Sequence, residues 1–186
     1  MKITWLAGVL VLAGCAGLQS DDPGSPYYAY PTGWSIALHR PLTIPANEAT
    51  VRLQYGRTVP RNSVQEYDPF CVVELDTVRE TPQTLAPGRF EVWRVTRSVT
   101  PIMAARASPF RRVDGSDEGD LTFLYYATEF RLHGPAHAGL RSMVCTWNQM
   151  APVNRTLMRH LTLAEIRSAL GDWMSLTPGR RNGDGV

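Results

Sequence analysis

Two histidines and two glutamates have the side-chain types that metal binding or hydrolysis would need. His133 and His137 are four residues apart, a spacing at which two imidazoles on a helix can bind one zinc ion. Gly134 and Pro135 lie between them, so the segment is predicted to be a turn, and no Cys/His array supplies further ligands. We therefore interpret both histidines as surface residues and predict no metal or other cofactor.

Glu74 and Glu91 each fall in a strand-like run with apolar neighbours. Paired carboxylates can act as acid and base in hydrolysis, but nothing in the sequence shows that these two meet. We expect them to point outward or to pair with an arginine. The signatures of serine hydrolases, P-loops and dinucleotide-binding folds are absent from the sequence, so an enzyme is not predicted.

Residues 114–120 have the acidic composition of a calcium-binding loop. Counted from Asp114, Gly119 occupies the sixth position as in an EF-hand, but the twelfth is Tyr125, where a bidentate glutamate is required. We interpret the segment as a solvated hairpin loop.

The N-terminus carries a positive Lys2, an apolar stretch over residues 3–12, and then Leu12-Ala13-Gly14-Cys15. The apolar stretch has the length of a signal-peptide core and is too short to span a bilayer. Small residues directly before a cysteine make this segment resemble the lipobox of bacterial lipoproteins; an ordinary cleaved signal is the alternative. The resemblance implies a lipid on the Cys15 sulfur, cleavage before Cys15, and a durable membrane anchor of three acyl chains.

Ala16 follows the cysteine where an aspartate would signal inner-membrane retention, so the resemblance implies the periplasmic face of the outer membrane. Three stretches of the body, 54–56, 67–71 and 87–90, resemble small uncharacterised proteobacterial lipoproteins, and that resemblance implies no activity.

The two remaining cysteines, Cys71 and Cys145, form an even pair in the oxidising compartment that the lipobox implies. Each lies mid-strand on the face that the alternation predicts to point inward, which predicts a disulfide between facing or neighbouring strands. The alternative is a single catalytic cysteine, which would need a histidine partner and would leave the other thiol unexplained.

The chain has 186 residues, enough for one domain, and its 44% apolar and 19% charged residues are typical of a folded protein. The formal net charge is +2, and the basic residues are scattered, so no nucleic-acid partner is predicted.

We divide the chain into a signal peptide (1–14), a lipidated N-terminus with a flexible Pro/Gly-rich tether (15–33), a β-rich domain (34–176) and a disordered tail (177–186). Tyr27, Tyr28 and Tyr30 are expected to dock the tether.

Alternating apolar and polar residues predict strands separated by turn residues; the runs are 35–39, 48–55, 70–78, 89–99, 121–132 and 140–149. In the fourth run the apolar set changes face after Val92, which predicts a bulge or burial on both sides. Thr162 and Glu165 form a capping box ahead of Leu163, Ile166, Leu170 and Trp173 at helical spacing. The predicted fold is mainly β: a single antiparallel β-sandwich or small barrel with one C-terminal amphipathic helix covering an edge or open end.

Together these features predict a membrane-anchored periplasmic lipoprotein that acts as a non-enzymatic binding, scaffold or assembly module. Its expected partners are the membrane, through the lipid, and an envelope protein or the cell wall. The alternative is an envelope hydrolase acting on peptidoglycan, peptide or lipid, for which Glu74, Glu91, His133 and His137 would be the first candidate residues.

Overall fold

The computed structural model describes residues 19–31, 33–103, 122–134, 139–151 and 158–178. Cys15 and the signal peptide, the 114–120 loop, His137 and the residues after 178 lie outside these ranges. The described residues are mainly β, as predicted, with one α-helix, α1, over Leu163–Leu170 and a 3-10 turn over Arg61–Ser63. The strands are β1 Ser35–Leu38, β2 Leu42–Ile44, β3 Thr50–Gln54, β4 Arg57–Val59, β5 Phe70–Leu75, β6 Gln83–Leu85, β7 Gly88–Met103, β8 Thr122–His133, β9 Leu140–Ala151 and β10 Met174–Thr177.

Eight strands form one antiparallel sheet in the order β10-β1-β7-β8-β9-β5-β3-β4, and β2 pairs with β6 in a small second sheet. The large sheet curls into a half-barrel, because the natural twist between neighbouring strands accumulates over eight of them. The result is closer to the small barrel than to the sandwich of the two predicted architectures.

The strand alternation places one apolar row of each strand on the inner face of the curl. Cys71, Val73 and Leu75 on β5 are buried there, and Met143 and Cys145 on β9 are buried beside them. Complete burial of such side chains stabilises the fold by about 1.5–3 kcal/mol each, which makes this face the core.

The predicted irregularity in the fourth run is a β-bulge in β7. Val92 pairs with Leu132 of β8 and Arg94 pairs with Arg131, so that Trp93 is the extra residue. Val92 is buried on the inner face, whereas Trp93 is half exposed on the outer face. The extra residue thus explains why the apolar set changes face along this strand.

Helix α1 begins with the predicted capping box: Thr162 accepts from the Glu165 amide, and the Glu165 carboxylate accepts from the Thr162 amide. The helix contacts β3, β5 and β10, which lie in both halves of the sheet, so it fills the inner side of the curl. The placement of Trp173 on this helix was wrong, because the helix ends at Leu170 and Gly171 takes a φ of +53°.

The N-terminal segment differs from the flexible tether assigned to residues 15–33. Within residues 19–31 the chain folds back on itself: the Ser20 amide donates a hydrogen bond to the Tyr27 carbonyl, and the Ala29 amide donates one to the Ser20 carbonyl. Tyr28 is buried, and the rings of Tyr28 and Tyr30 meet edge to face with centroids 5.1 Å apart. Buried aromatic area offsets the cost of ordering this Pro/Gly-rich segment. Among the described residues, no helix is long and apolar enough to cross a membrane.

Candidate functional site

The two body cysteines meet across neighbouring strands. Cys71 on β5 is directly opposite Cys145 on β9, and the two are joined by a disulfide with their Cα atoms 4.0 Å apart. Both are fully buried. This pair is a covalent link inside the core, which leaves neither sulfur available as a nucleophile.

Glu74 lies on the outer face of β5 and is held by its neighbours on β9. The Ser142 hydroxyl donates to its carboxylate at 2.9 Å, and an Arg141 guanidinium nitrogen lies 3.3 Å from the other carboxylate oxygen. The arginine pairing expected from the sequence is therefore present for Glu74.

Glu91 and His133, by contrast, come together. They are direct partners across β7 and β8, and both side chains are exposed on the outer face. The Trp93 ring stacks on the His133 imidazole with centroids 5.2 Å apart and an interplanar angle of 17°. Glu74 lies on β5, two strands away from β8. Of the three candidate hydrolytic residues that lie in the described ranges, the structure therefore pairs Glu91 with His133 and keeps Glu74 apart.

A surface cleft of about 270 Å³ lies between the small sheet and the β3–β4 hairpin. Its walls combine hydroxyl, guanidinium and apolar groups: Thr43, Pro45, Glu48, Thr50, Val51, Arg52, Thr58, Val59, Pro60 and Arg61. In the part of the chain that the structure describes, no group of three or more His, Cys, Asp or Glu residues could hold a metal ion.

Two arginines dominate the electrostatics of this cleft. Partial burial lowers the pKa of Arg52, the nearby charge of Arg61 lowers it further, and Glu48 opposes both effects. The Arg52 and Arg61 guanidinium groups are close enough to repel one another. Because Glu48 is the one carboxylate among the described residues of the cleft wall, the cleft carries one excess positive charge. Guanidinium forks and threonine hydroxyls are the donors that recognise carboxylate and phosphate groups, so the cleft is suited to an anionic group of a ligand.

Two exposed tyrosines lie near Asp68: Tyr55 is in the β3–β4 turn, and Tyr67 is in the segment before β5. Tyr55 is 51% exposed, with the Arg57 guanidinium 6.0 Å from its ring, and its hydroxyl donates to Asp68. Tyr67 is 54% exposed and packs at 6.2 Å against Phe123. Exposed tyrosines next to arginine are typical of protein interfaces.

Sequence reasoning missed the cleft. Arg52 falls at a polar position of the alternating run 48–55, and Arg61 lies outside every predicted strand. The one sequence signal was Gly56, because glycine readily adopts the positive φ that a two-residue turn requires. The turn at Tyr55-Gly56 places β4 beside β3. Comparison of the chain with family models, with curated proteins and with solved structures finds no match. The case for function therefore depends on these residues.

Proposed function

We propose that this protein is a lipid-anchored lipoprotein of the periplasmic face of the outer membrane, whose β domain is a non-enzymatic binding, scaffold or assembly module. The observation that carries the binding role is the Arg52–Arg61 cleft. Tyr55, in the turn of the same hairpin, adds an exposed aromatic side chain. The partner is an envelope protein or a cell-wall component that presents a carboxylate or phosphate to the cleft. The buried disulfide agrees with an oxidising compartment.

The packing of the N-terminal segment sets how far the domain can act from the membrane. Ser20, whose backbone amide and carbonyl are hydrogen-bonded to Tyr27 and Ala29, is five positions beyond Cys15. Five residues span at most about 18 Å when fully extended. A domain lipidated at Cys15 is thus held within a short distance of the bilayer, and its partner must approach the membrane surface.

The anchor is tested by replacing Cys15 with Ser and separating membrane and soluble fractions of the cell. The variant should move to the soluble fraction, since it has no sulfur to carry the diacylglycerol. Continued membrane association of Cys15→Ser would contradict the lipoprotein proposal.

The binding role is tested by placing a photocrosslinking amino acid at Thr58, an exposed residue of the cleft wall, in living cells. The matched control position is Arg94, which is exposed on β7 near the other end of the sheet. We expect a discrete adduct from position 58 that is absent from position 94 and is lost when Arg52 and Arg61 are both changed to Gln. An adduct that survives this double substitution would show that the cleft is not the binding site.

A further inference from the structure

A second group of polar atoms lies inside the domain, apart from the surface cleft. Six buried side-chain atoms have no hydrogen-bond partner within the described part of the chain; one is Asn148 Oδ1, and the other five are Tyr30 Oη, Trp34 Nε1, Arg97 Nε, Thr128 Oγ1 and His160 Nδ1. Trp34, Thr128 and His160 are at least nine-tenths buried. Buried polar groups in folded proteins are almost always paired, and leaving a donor unpaired is destabilising.

These other five side chains form one cluster on the inner face of β7 and β8. Arg97 is the direct strand partner of Thr128, and its guanidinium carbon lies 5.5 Å from the centre of the Tyr30 ring. The Tyr30 and Trp34 rings meet edge to face at 5.4 Å. The N-terminal segment therefore supplies one wall of the cluster, and the sheet supplies the other.

His160 completes the cluster from the segment that leads into α1. Its ring lies 5.5 Å from that of Tyr126, which is two residues from Thr128 on the same face of β8. Burial and, to a smaller extent, the positive charge of Arg97 together lower the pKa of His160 to about 4, and a hydrogen bond to the Ala127 backbone opposes both. At neutral pH the imidazole is uncharged, and Arg97 is the cation of the cluster.

The chemistry of the cluster is dominated by donors. The Trp34 indole and the Arg97 guanidinium can only donate, and the Tyr30 and Thr128 hydroxyls can each donate one proton. The neutral His160 imidazole uses its one proton in the hydrogen bond to the Ala127 backbone, so its Nδ1 is an acceptor. One Arg97 terminal nitrogen donates to the Tyr28 carbonyl, and among the described residues no carboxylate is paired with this guanidinium. A water molecule can accept two of these protons but leaves the buried charge uncompensated, whereas an oxyanion accepts several and neutralises it.

We propose that this inner cluster, formed by Tyr30, Trp34, Arg97, Thr128 and His160, is a binding site for a small oxyanionic group, either a carboxylate or a phosphate. The N-terminal segment closes the site, so the ligand is enclosed between that segment and the sheet. This site is independent of the lipid anchor and of the Arg52–Arg61 cleft.

The test is a titration of the protein, purified in detergent and labelled with nitrogen-15, with sodium phosphate and with sodium acetate. Sodium chloride at the same ionic strength and pH 7 serves as the reference. The side-chain resonances of Trp34 Nε1 and Arg97 Nε should shift in a saturable way with at least one oxyanion and not with chloride. The Trp147 indole, which donates to the Arg159 carbonyl at 2.8 Å, should not move. A response to phosphate alone or to acetate alone identifies which of the two groups the site accepts.

Three variants make the result specific. Thr128→Val preserves the shape of the side chain and removes one donor, so it should weaken the binding about tenfold. Arg97→Lys keeps the charge but removes the planar fork, and it should weaken the binding at least as much. The Arg52→Gln/Arg61→Gln double variant should leave the dissociation constant unchanged. The proposal is overturned if neither oxyanion shifts the two resonances, which is the result expected for a site that holds only water. It is also overturned if Thr128→Val binds as tightly as the parent protein, or if the double variant abolishes the shifts.

Discussion

Gly56 and Gly171 are packed backbone to backbone: a methyl group placed on the Gly171 Cα would lie 2.4 Å from the Cα of Gly56. The Gly56 amide donates to the Ala169 carbonyl at 3.1 Å. Tyr55 and Gly56 both have positive φ, 54° and 70°, as a two-residue hairpin turn requires. The turn that joins β3 to β4 is thereby fixed on the C-terminal end of α1.

The first prediction concerns this contact. Gly171→Ala should lower the free energy of unfolding by about 3 kcal/mol. The new methyl group would clash with the Gly56 backbone, and alanine is also strained at a positive φ. Gly139→Ala is the matched control, since Gly139 also has a positive φ, 62°, but a Cβ there meets nothing within 4 Å. Its cost should be only the strain, about 1–2 kcal/mol. Equal losses in urea unfolding would contradict a tight Gly56–Gly171 contact.

The second prediction concerns acid stability. The pKa of His160 is about 4 in the folded protein, chiefly because of burial, and near 6.5 when the chain is unfolded. Between these pH values the unfolded state binds the proton more readily. The contribution of neutral His160 to the free energy of unfolding is therefore fully present above pH 6.5. As the pH falls towards 4, up to about 3 kcal/mol of it is lost.

The measurement is the free energy of unfolding between pH 7 and pH 4.5. His160→Gln, which does not titrate, should show a shallower decline with falling pH than the parent protein. His39→Gln is the control, because His39 is exposed, and it should keep the parent slope. An unchanged slope in His160→Gln would show that burial of His160 is not the source of acid sensitivity.

The third prediction concerns the disulfide. Replacing both Cys71 and Cys145 with Ala should lower the free energy of unfolding by about 2–4 kcal/mol, because the link closes a loop of 74 residues. Reduction should destabilise the parent protein by a similar amount and should leave the double variant unaffected. Thiol titration of the folded parent domain should detect no reaction at either position, and a titratable Cys71 or Cys145 would contradict the link.

The fourth prediction concerns the start of α1. Burial alone would raise the pKa of Glu165, but hydrogen bonds from Arg159 and Thr162 and the Arg159 charge outweigh it and lower the pKa to about 2. Both Arg159 terminal nitrogens donate to the carboxylate at 2.8 Å. The stability from this group is present above pH 4.5 and is lost as the pH falls towards 2.

Glu165→Gln should therefore cost about 1–3 kcal/mol at pH 7 and much less at pH 2.5, measured by denaturant unfolding. Glu129→Gln is the control, since it breaks a more exposed ion pair with Arg131 and should cost no more than about 1 kcal/mol. A Glu165→Gln cost that is the same at both pH values would rule out a contribution from the charged carboxylate.

Much of the local structure was predictable because it depends on neighbours in the chain. The alternation around Cys71 and Cys145 predicted the strands and their inner faces, and the Thr162–Glu165 pair predicted where the helix begins. The change of face after Val92 predicted the bulge. Each of these signals is contained within a few residues, where backbone periodicity and capping act.

The end of the helix was not predictable in the same way. Trp173 continues the apolar spacing of α1, and only the approach of Gly56 shows why the chain turns at Gly171 instead. Docking of the N-terminal segment was expected from Tyr28 and Tyr30, but the hydrogen bonds that fold it back at Ser20 were hidden by its Pro/Gly-rich composition.

The sequence by itself determined the strand pattern, the start of the helix and the residues available for a disulfide, and it carries the lipobox from which the membrane address is proposed. Only the tertiary structure placed Arg52 near Arg61 and brought Tyr30, Arg97 and His160 into one cluster. Tyr30, Arg97 and His160 are far apart in the chain, and their meeting depends on strand register and on the curl of the whole sheet. Arg52 and Arg61 are nine residues apart, and the β3–β4 hairpin brings them together. Register and curl arise from packing the whole sheet at once, which no local pattern encodes.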